Sequence, residues 1–224
     1  MNKEQLHNLL HFMMALIGGF LGAYTLLNHH DLFGNAQTTN MISLATDLVG
    51  HNIEDFLYRA LDLTVYVSGF ACTVLIPRYT KLNLRLCSIF IDALAGITIC
   101  FIPASVNDFV ALCPVLFVTA FQWNSFREVD GFVSSTIFST NNLRQFTTSF
   151  FEYLCDKDKK HLRKTKVFGG TLLFYHIGVA ISFVLYLSMG AKAGWFCVIP
   201  ACVAAMLLGF EKEWVAVPFT GVEI

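Results

Sequence analysis

The chain of 224 residues is 55% hydrophobic and only 14% charged, with a net charge of -1 and a mean hydropathy of +0.59. That balance is too apolar for an ordinary soluble domain and makes the bilayer the expected solvent. It gives no footing for a nucleic-acid partner, and the seven Cys lack the count or spacing of a disulfide framework or zinc site, so no metal and no cofactor is expected.

A helix needs about 20 apolar residues to cross the hydrocarbon core. Six segments approach this: 6–27, 60–77, 86–104, 109–123, 167–191 and 193–210. The first follows a single Lys3 and has no small-x-small cleavage pattern after it, so it reads as an uncleaved span. The fourth is short and interrupted by Pro114, although it lies in a charge-free window. Basic residues set the orientation, because cytoplasmic loops retain Lys and Arg. With the N-terminus inside, 13 of the 15 Lys and Arg fall on the cytoplasmic side, leaving Arg59 and Lys192 outside.

Two uncharged polar clusters interrupt this pattern, "FGNAQTTNM" after the first span and "FSTNNL" after the fourth. Aligning Thr38 to Asn40 with Thr140 to Asn142 brings "YVSGFA", from Tyr66, opposite "YHIGVA", from Tyr175. The fold expected is therefore an all-α polytopic membrane protein, a single domain over 1–224. It has six transmembrane helices plus two half-helices, arranged as two inverted three-helix repeats at about 1–104 and 105–210, with a short cytoplasmic tail at 211–224. Each cluster precedes an apolar stretch of roughly 15 to 18 Å, the length of a half-helix.

At these clusters the chain resembles the YoaK family of small bacterial membrane proteins (domain of unknown function 1275). The family's "AQTGN" and "TGNLR" signatures stand here as "AQTTN" (36–40) and "TNNLR" (140–144), with the glycine replaced by Thr39 and Asn141. "LIGGFLGAYTLL" and "QWNSFREVDG" are also similar to that family, and the resemblance covers the whole order of spans. It implies a multi-pass protein of the bacterial inner (plasma) membrane and supplies no catalytic or binding residue, so function is argued from chemistry.

Thr and Asn before a half-helix are expected as N-caps for its first-turn amides. If both clusters dip into the membrane, two positive helix ends meet near the midplane and form a site for a small polar or anionic solute. The expected solute ligands are Gln37, Thr38, Asn40, Thr140 and Asn142, with Tyr66 and Tyr175 lining a cavity. The plainer reading makes the half-helices interfacial and the polar residues caps only. Asp92 and His176 lie within spans at similar depths, about 10 and 15 Å, and form a candidate proton-coupling pair. Asp62 is expected to pair with Arg59 one turn away. Gly18 and Gly22 read as a helix-packing G-x-x-x-G, and Pro200 as a kink midway along the last span. "KDKKHLRKTK", six basic residues in ten, reads as a cytoplasmic anchor on anionic headgroups.

The reading is a secondary transporter or permease for a small polar or anionic solute, coupled to protons, and more a carrier than an enzyme. Its partners are the lipid bilayer and the solute, with homo-oligomers open. The alternatives are a metal-dependent hydrolase using the outer groups "HHD" (29–31) and "HNIED" (51–55), or a non-transporting scaffold.

Overall fold

A computed structural model describes residues 3–29, 32–35 and 37–211. Over those residues the chain is helical apart from one small hairpin. Its elements are α1 (Lys3–Asn28), α2 (Thr38–Val49), α3 (Ile53–Tyr79), α4 (Leu84–Ile99), α5 (Asp108–Ser125), β1 (Glu128–Val129), β2 (Phe132–Val133), α6 (Thr140–Asp156), α7 (Lys159–Met189) and, after a 3-10 segment at Gly190–Cys197, α8 (Val198–Phe210). Three stretches are long and apolar enough to cross a membrane: α1, α3 and the run from Lys159 to Phe210. The chain is a helical membrane protein, while α4 and α5 are only about 24 and 27 Å long.

α1 is the core. Leu10, Met14, Ile17, Phe20, Leu21 and Tyr24 are all buried against its neighbours, so a segment apolar on every side is surrounded by protein rather than lipid. It runs parallel to α7, with Phe12 stacked on Phe174 at 5.4 Å. The backbones come close because Gly19 faces the Tyr175 carbonyl and Gly178 faces the Leu16 carbonyl, leaving no room for a Cβ at either place. α5 runs parallel to α3 in the same manner, with Gly69 against the Phe117 carbonyl. α1 also packs against α8, and α5 against α4.

Polar contacts gather at the two ends of the bundle. At one end the start of α1, the start of α4 and the residue after α8 meet: His7 Nδ1 lies 3.4 Å from Glu211 Oε1, and Arg85 Nη1 lies 3.6 Å from Glu211 Oε2. The β1–β2 turn joins them, with Arg163 of α7 bridging Asp130 and Glu4. That turn places Asp130 and Gly131 at positive φ, the geometry favoured in two-residue hairpins. At the other end His29 pairs with Asp108 at 2.9 Å, and the Tyr24 hydroxyl donates to the Ala191 carbonyl.

Two local expectations are corrected. Arg59 pairs with Asp47 of α2 at 2.8 Å rather than with Asp62, because the antiparallel α2–α3 hairpin brings the α2 carboxylate into reach. Asp62 is fully buried and turned toward Cys113 of α5. Pro200 lies in the first turn of α8, where a missing N–H is harmless, and the preceding segment is 3-10 rather than a kinked α-helix.

Candidate functional site

After α1 the chain doubles back along it. The Gly34 amide donates to Thr25 Oγ1, and by Asn35 the chain has reached the level of Gly18, about 15 Å below the end of the helix. α2 then leaves in the opposite direction, antiparallel to α3. Later in the chain, after the hairpin, residues 134–139 run along α1 and α5 before α6 departs. The two non-helical breaks, 32–37 and 134–139, therefore meet deep inside the bundle.

Their contact is direct. Asn35 Nδ2 donates to the Ile137 carbonyl at 2.6 Å and to the Gly18 carbonyl at 2.8 Å. Gln122 of α5 donates to Thr136 Oγ1 at 2.8 Å and to the Met14 carbonyl at 2.9 Å, and Thr119 donates to the Gly34 carbonyl at 3.0 Å. The Tyr66 hydroxyl donates to the Asn35 carbonyl at 3.2 Å, and the Tyr175 phenol lies beside the Asn35 side chain. Both tyrosines thus converge on one asparagine. Gly18 and Gly22 do not serve helix–helix packing: Gly18 abuts the Thr136 carbonyl, and Gly22 abuts the Asn35 side chain and Phe33. They are small so that the breaks fit against α1.

The expected ligands divide into two groups. Gln37, Asn40, Asn142, Tyr66 and Tyr175 are buried at the junction, whereas Thr38 and Thr140 lie on the exposed faces of their helices. The capping expectation is corrected. The N-caps are Gln37 and Ser139, both with helical backbone and neither with a side-chain capping bond. Asn40 Nδ2 donates instead to Gln37 Oε1 at 3.2 Å. Asn142 clasps the second break, accepting from the Ser135 amide at 3.2 Å and donating to the Ser135 carbonyl at 2.6 Å. The third helical residue points backward along the chain, so its amide staples the loop and leaves the first-turn N–H groups uncapped by either side chain.

Several buried polar atoms around the junction have no partner among the described residues: Asn35 Oδ1, Gln37 Nε2 and Gln122 Oε1. Desolvating such atoms costs about 1–3 kcal/mol each, and they include both donor and acceptor. Nearby, His11 Nε2 lies 3.1 Å from Ser134 Oγ, which also reaches Asn142.

Asp92 and His176 are not brought together. Asp92 is fully buried in α4, its Oδ2 3.4 Å from Ser88 Oγ on its own helix and its Oδ1 unpartnered. His176 lies on the exposed face of α7, its ring bonded to the Leu172 carbonyl. Among the outer groups His29 is paired with Asp108, and His51 is exposed; His30 and Asp31 lie outside the described residues, as does Ala36. Among the described residues no three His, Cys, Asp or Glu converge as metal ligands.

Sequence reasoning passed over Asn35, Thr119, Gln122 and Ser134. Each carries a legible signal in being an uncharged polar residue beside or within an apolar run, and Asn35 stands inside the first cluster itself. No curated protein and no solved structure matches the chain. A family model matches residues 10–207, nearly the whole helical bundle with both breaks, and so the chain belongs to the family described as protein of unknown function (DUF1275).

Proposed function

We propose that the protein is a permease of the bacterial inner membrane, and that the crossed breaks bind a small polar or anionic solute. In this reading the chain crosses the bilayer six times, with both termini cytoplasmic, and α2, a half-helix of 12 residues, and the longer α6, of 17, run from the junction toward opposite faces. The packing scheme supports it, since α1 against α7 and α8 is matched by α5 against α3 and α4, the relation that exchange of two inverted halves requires. The segregation of Lys and Arg supports the orientation.

The observation that carries the reading is the set of orphaned polar atoms on Asn35, Gln37 and Gln122, next to two helix N-termini without side-chain caps. Irregular backbone at membrane depth is tolerated where protein or a polar cavity satisfies it. A solute carrying both donor and acceptor groups satisfies those atoms, and the helix ends favour negative charge on it. Asp92 is the proton carrier of the scheme, because a buried carboxylate with one free oxygen and no ion pair among the described residues is costly to keep ionised.

The test is flux into sealed proteoliposomes from a panel of small carboxylates, inorganic anions and neutral polyols. The protein is expected to move at least one of them, and Asn35→Ala with Gln37→Ala is expected to abolish that movement in protein that still inserts and elutes as a single species. Flux unchanged in this double variant overturns the site. Absence of flux and of any ligand-induced thermal shift across the panel overturns the permease.

A further inference from the structure

A cavity with a basic rim lies away from the crossed breaks, between the first turns of α1, the β1–β2 hairpin and the start of α7. Its volume is about 510 Å³, and its lining includes Asn8, Phe12, Asp130, Lys159, Arg163 and Lys166. The three cations stand at i, i+4 and i+7 on α7, one face over two turns, or about 10 Å. Arg163 is bound by two carboxylates, Asp130 and Glu4, both of which also line the cavity, so the cavity's three cations and two anions leave a net charge of +1. Lys159 and Lys166 have no acidic partner among the described residues and flank the paired arginine. Phe12, Leu162 and Val167 supply an apolar wall, and Asn8 Oδ1 is buried without a donor.

We propose that this cavity binds a phosphodiester that carries hydroxyl groups, the chemistry of an anionic glycerophospholipid headgroup. The two free ammonium groups are placed for the phosphate oxygens. A headgroup hydroxyl supplies the donor that Asn8 lacks, and the first acyl carbons run along the apolar wall. Basic clefts between helices at a cytoplasmic surface are suited to such headgroups. A diffuse anchoring of the "KDKKHLRKTK" stretch on charged lipid is a different arrangement, since it would use Lys160 and Lys164 as much as Lys159 and Lys166, and neither of the former lines the cavity. The site is independent of any transported solute.

The experiment measures lipid retained by protein purified from mixed phosphatidylglycerol and phosphatidylcholine, read by native mass spectrometry. Thermal shift with glycerol 3-phosphate and with inorganic phosphate is measured in parallel. The expected result is one phosphatidylglycerol retained selectively, with retention falling roughly 30-fold in Lys159→Gln/Lys166→Gln, on the scale of two interfacial lysines. The equally discharged Lys160→Gln/Lys164→Gln is expected to retain it. Retention of lipid without a shift by the soluble phosphates identifies a lipid site; a shift by the soluble phosphates, abolished in the same variant, identifies a soluble phosphate ester as the occupant. Equal loss in both double variants, or no preference for phosphatidylglycerol, overturns the proposal. Elution of each variant as a single species separates lost binding from lost fold.

Discussion

The two breaks meet at one buried junction, yet they are held very differently. The second is bound along its length: Asn142 bonds both the amide and the carbonyl of Ser135, Thr136 takes a bond from Gln122, and Ser134 reaches His11, Asn142 and Thr171. The first is anchored at Gly34 and Asn35, while its Asn40 reaches only Gln37, and both Asn35 and Gln37 keep an unpartnered atom. The helices that follow are held more alike: α2 exposes Met41, Ile42, Leu48 and Val49 and is tied to α3 through Asp47 and Arg59, while the longer α6 exposes Leu143, Phe150, Phe151 and Leu154 and is tied to α7 through Ser149 and Thr165. The second break is the more fully bonded and the first keeps unused hydrogen-bonding capacity, so in the proposed permease recognition falls to the first.

The largest effect that sharpens this contrast comes from the two glycines of α1. A Cβ on Gly18 meets the carbonyl of Thr136, backbone of the second break, whereas a Cβ on Gly22 meets the carboxamide end of Asn35 at 2.5 Å and the Phe33 ring at 2.9 Å. A side-chain end shifts at the cost of its own bonds, whereas a carbonyl shifts only with the backbone that carries it. Gly18→Ala is expected to cost about 3 kcal/mol or more, and Gly22→Ala about 1 kcal/mol. Both are read from thermal unfolding in detergent. Equal costs would mean that the two breaks are equally rigid.

Next in size is the pair Asn142→Ala and Asn40→Ala. The first orphans a buried amide and a buried carbonyl of Ser135, for an expected loss of about 2–4 kcal/mol; the second removes one bond between side chains, for about 1 kcal/mol. Hydrogen exchange at Ser135 is expected to rise sharply in Asn142→Ala. A larger loss for Asn40→Ala would reverse the ranking of the two breaks.

The same contrast explains what the sequence made legible. Apolar runs, the position of each break and the tyrosine-glycine repeat are written in local composition, and Gln37, Asn40, Asn142, Tyr66 and Tyr175 do lie at the junction. The roles were harder to read. Whether a Thr or Asn caps a helix depends on backbone angles at a single residue, and here the chain turns one residue earlier, at Gln37 and Ser139. Which charge meets Arg59 depended on α2 folding back on α3, and the exposure of His176 on which face of α7 meets α1; neither is fixed by spacing along one helix. The hairpin carried a plain Asp-Gly turn signal that the search for spans overlooked.

Asp92→Asn is expected to change stability by no more than about 1 kcal/mol, because the amide keeps the shape and the contact with Ser88. Its consequence is functional. Solute flux that depends on pH in the native protein is expected to lose that dependence in the variant, while His176→Gln, altered on an exposed face, leaves it intact. A variant with flux and pH profile both unchanged removes Asp92 from the coupling scheme and leaves the breaks as a site without a proton carrier.

The smallest effect separates the breaks by the face each half-helix reaches. Cys155 lies exposed near the end of α6, and Val49, 78% exposed, is the last residue of α2. In a background of Cys202→Ala, which removes the other exposed thiol, Val49→Cys leaves stability within about 0.5 kcal/mol of the parent, as expected for an exposed position. A membrane-impermeant maleimide applied to intact cells is expected to label Val49→Cys and to reach Cys155 only after the membrane is opened. Both half-helices start from the same buried junction, so labelling of the two from one side would require them to run in the same direction. The inverted relation between the halves would then be lost, and with it the reason for reading one break as the counterpart of the other.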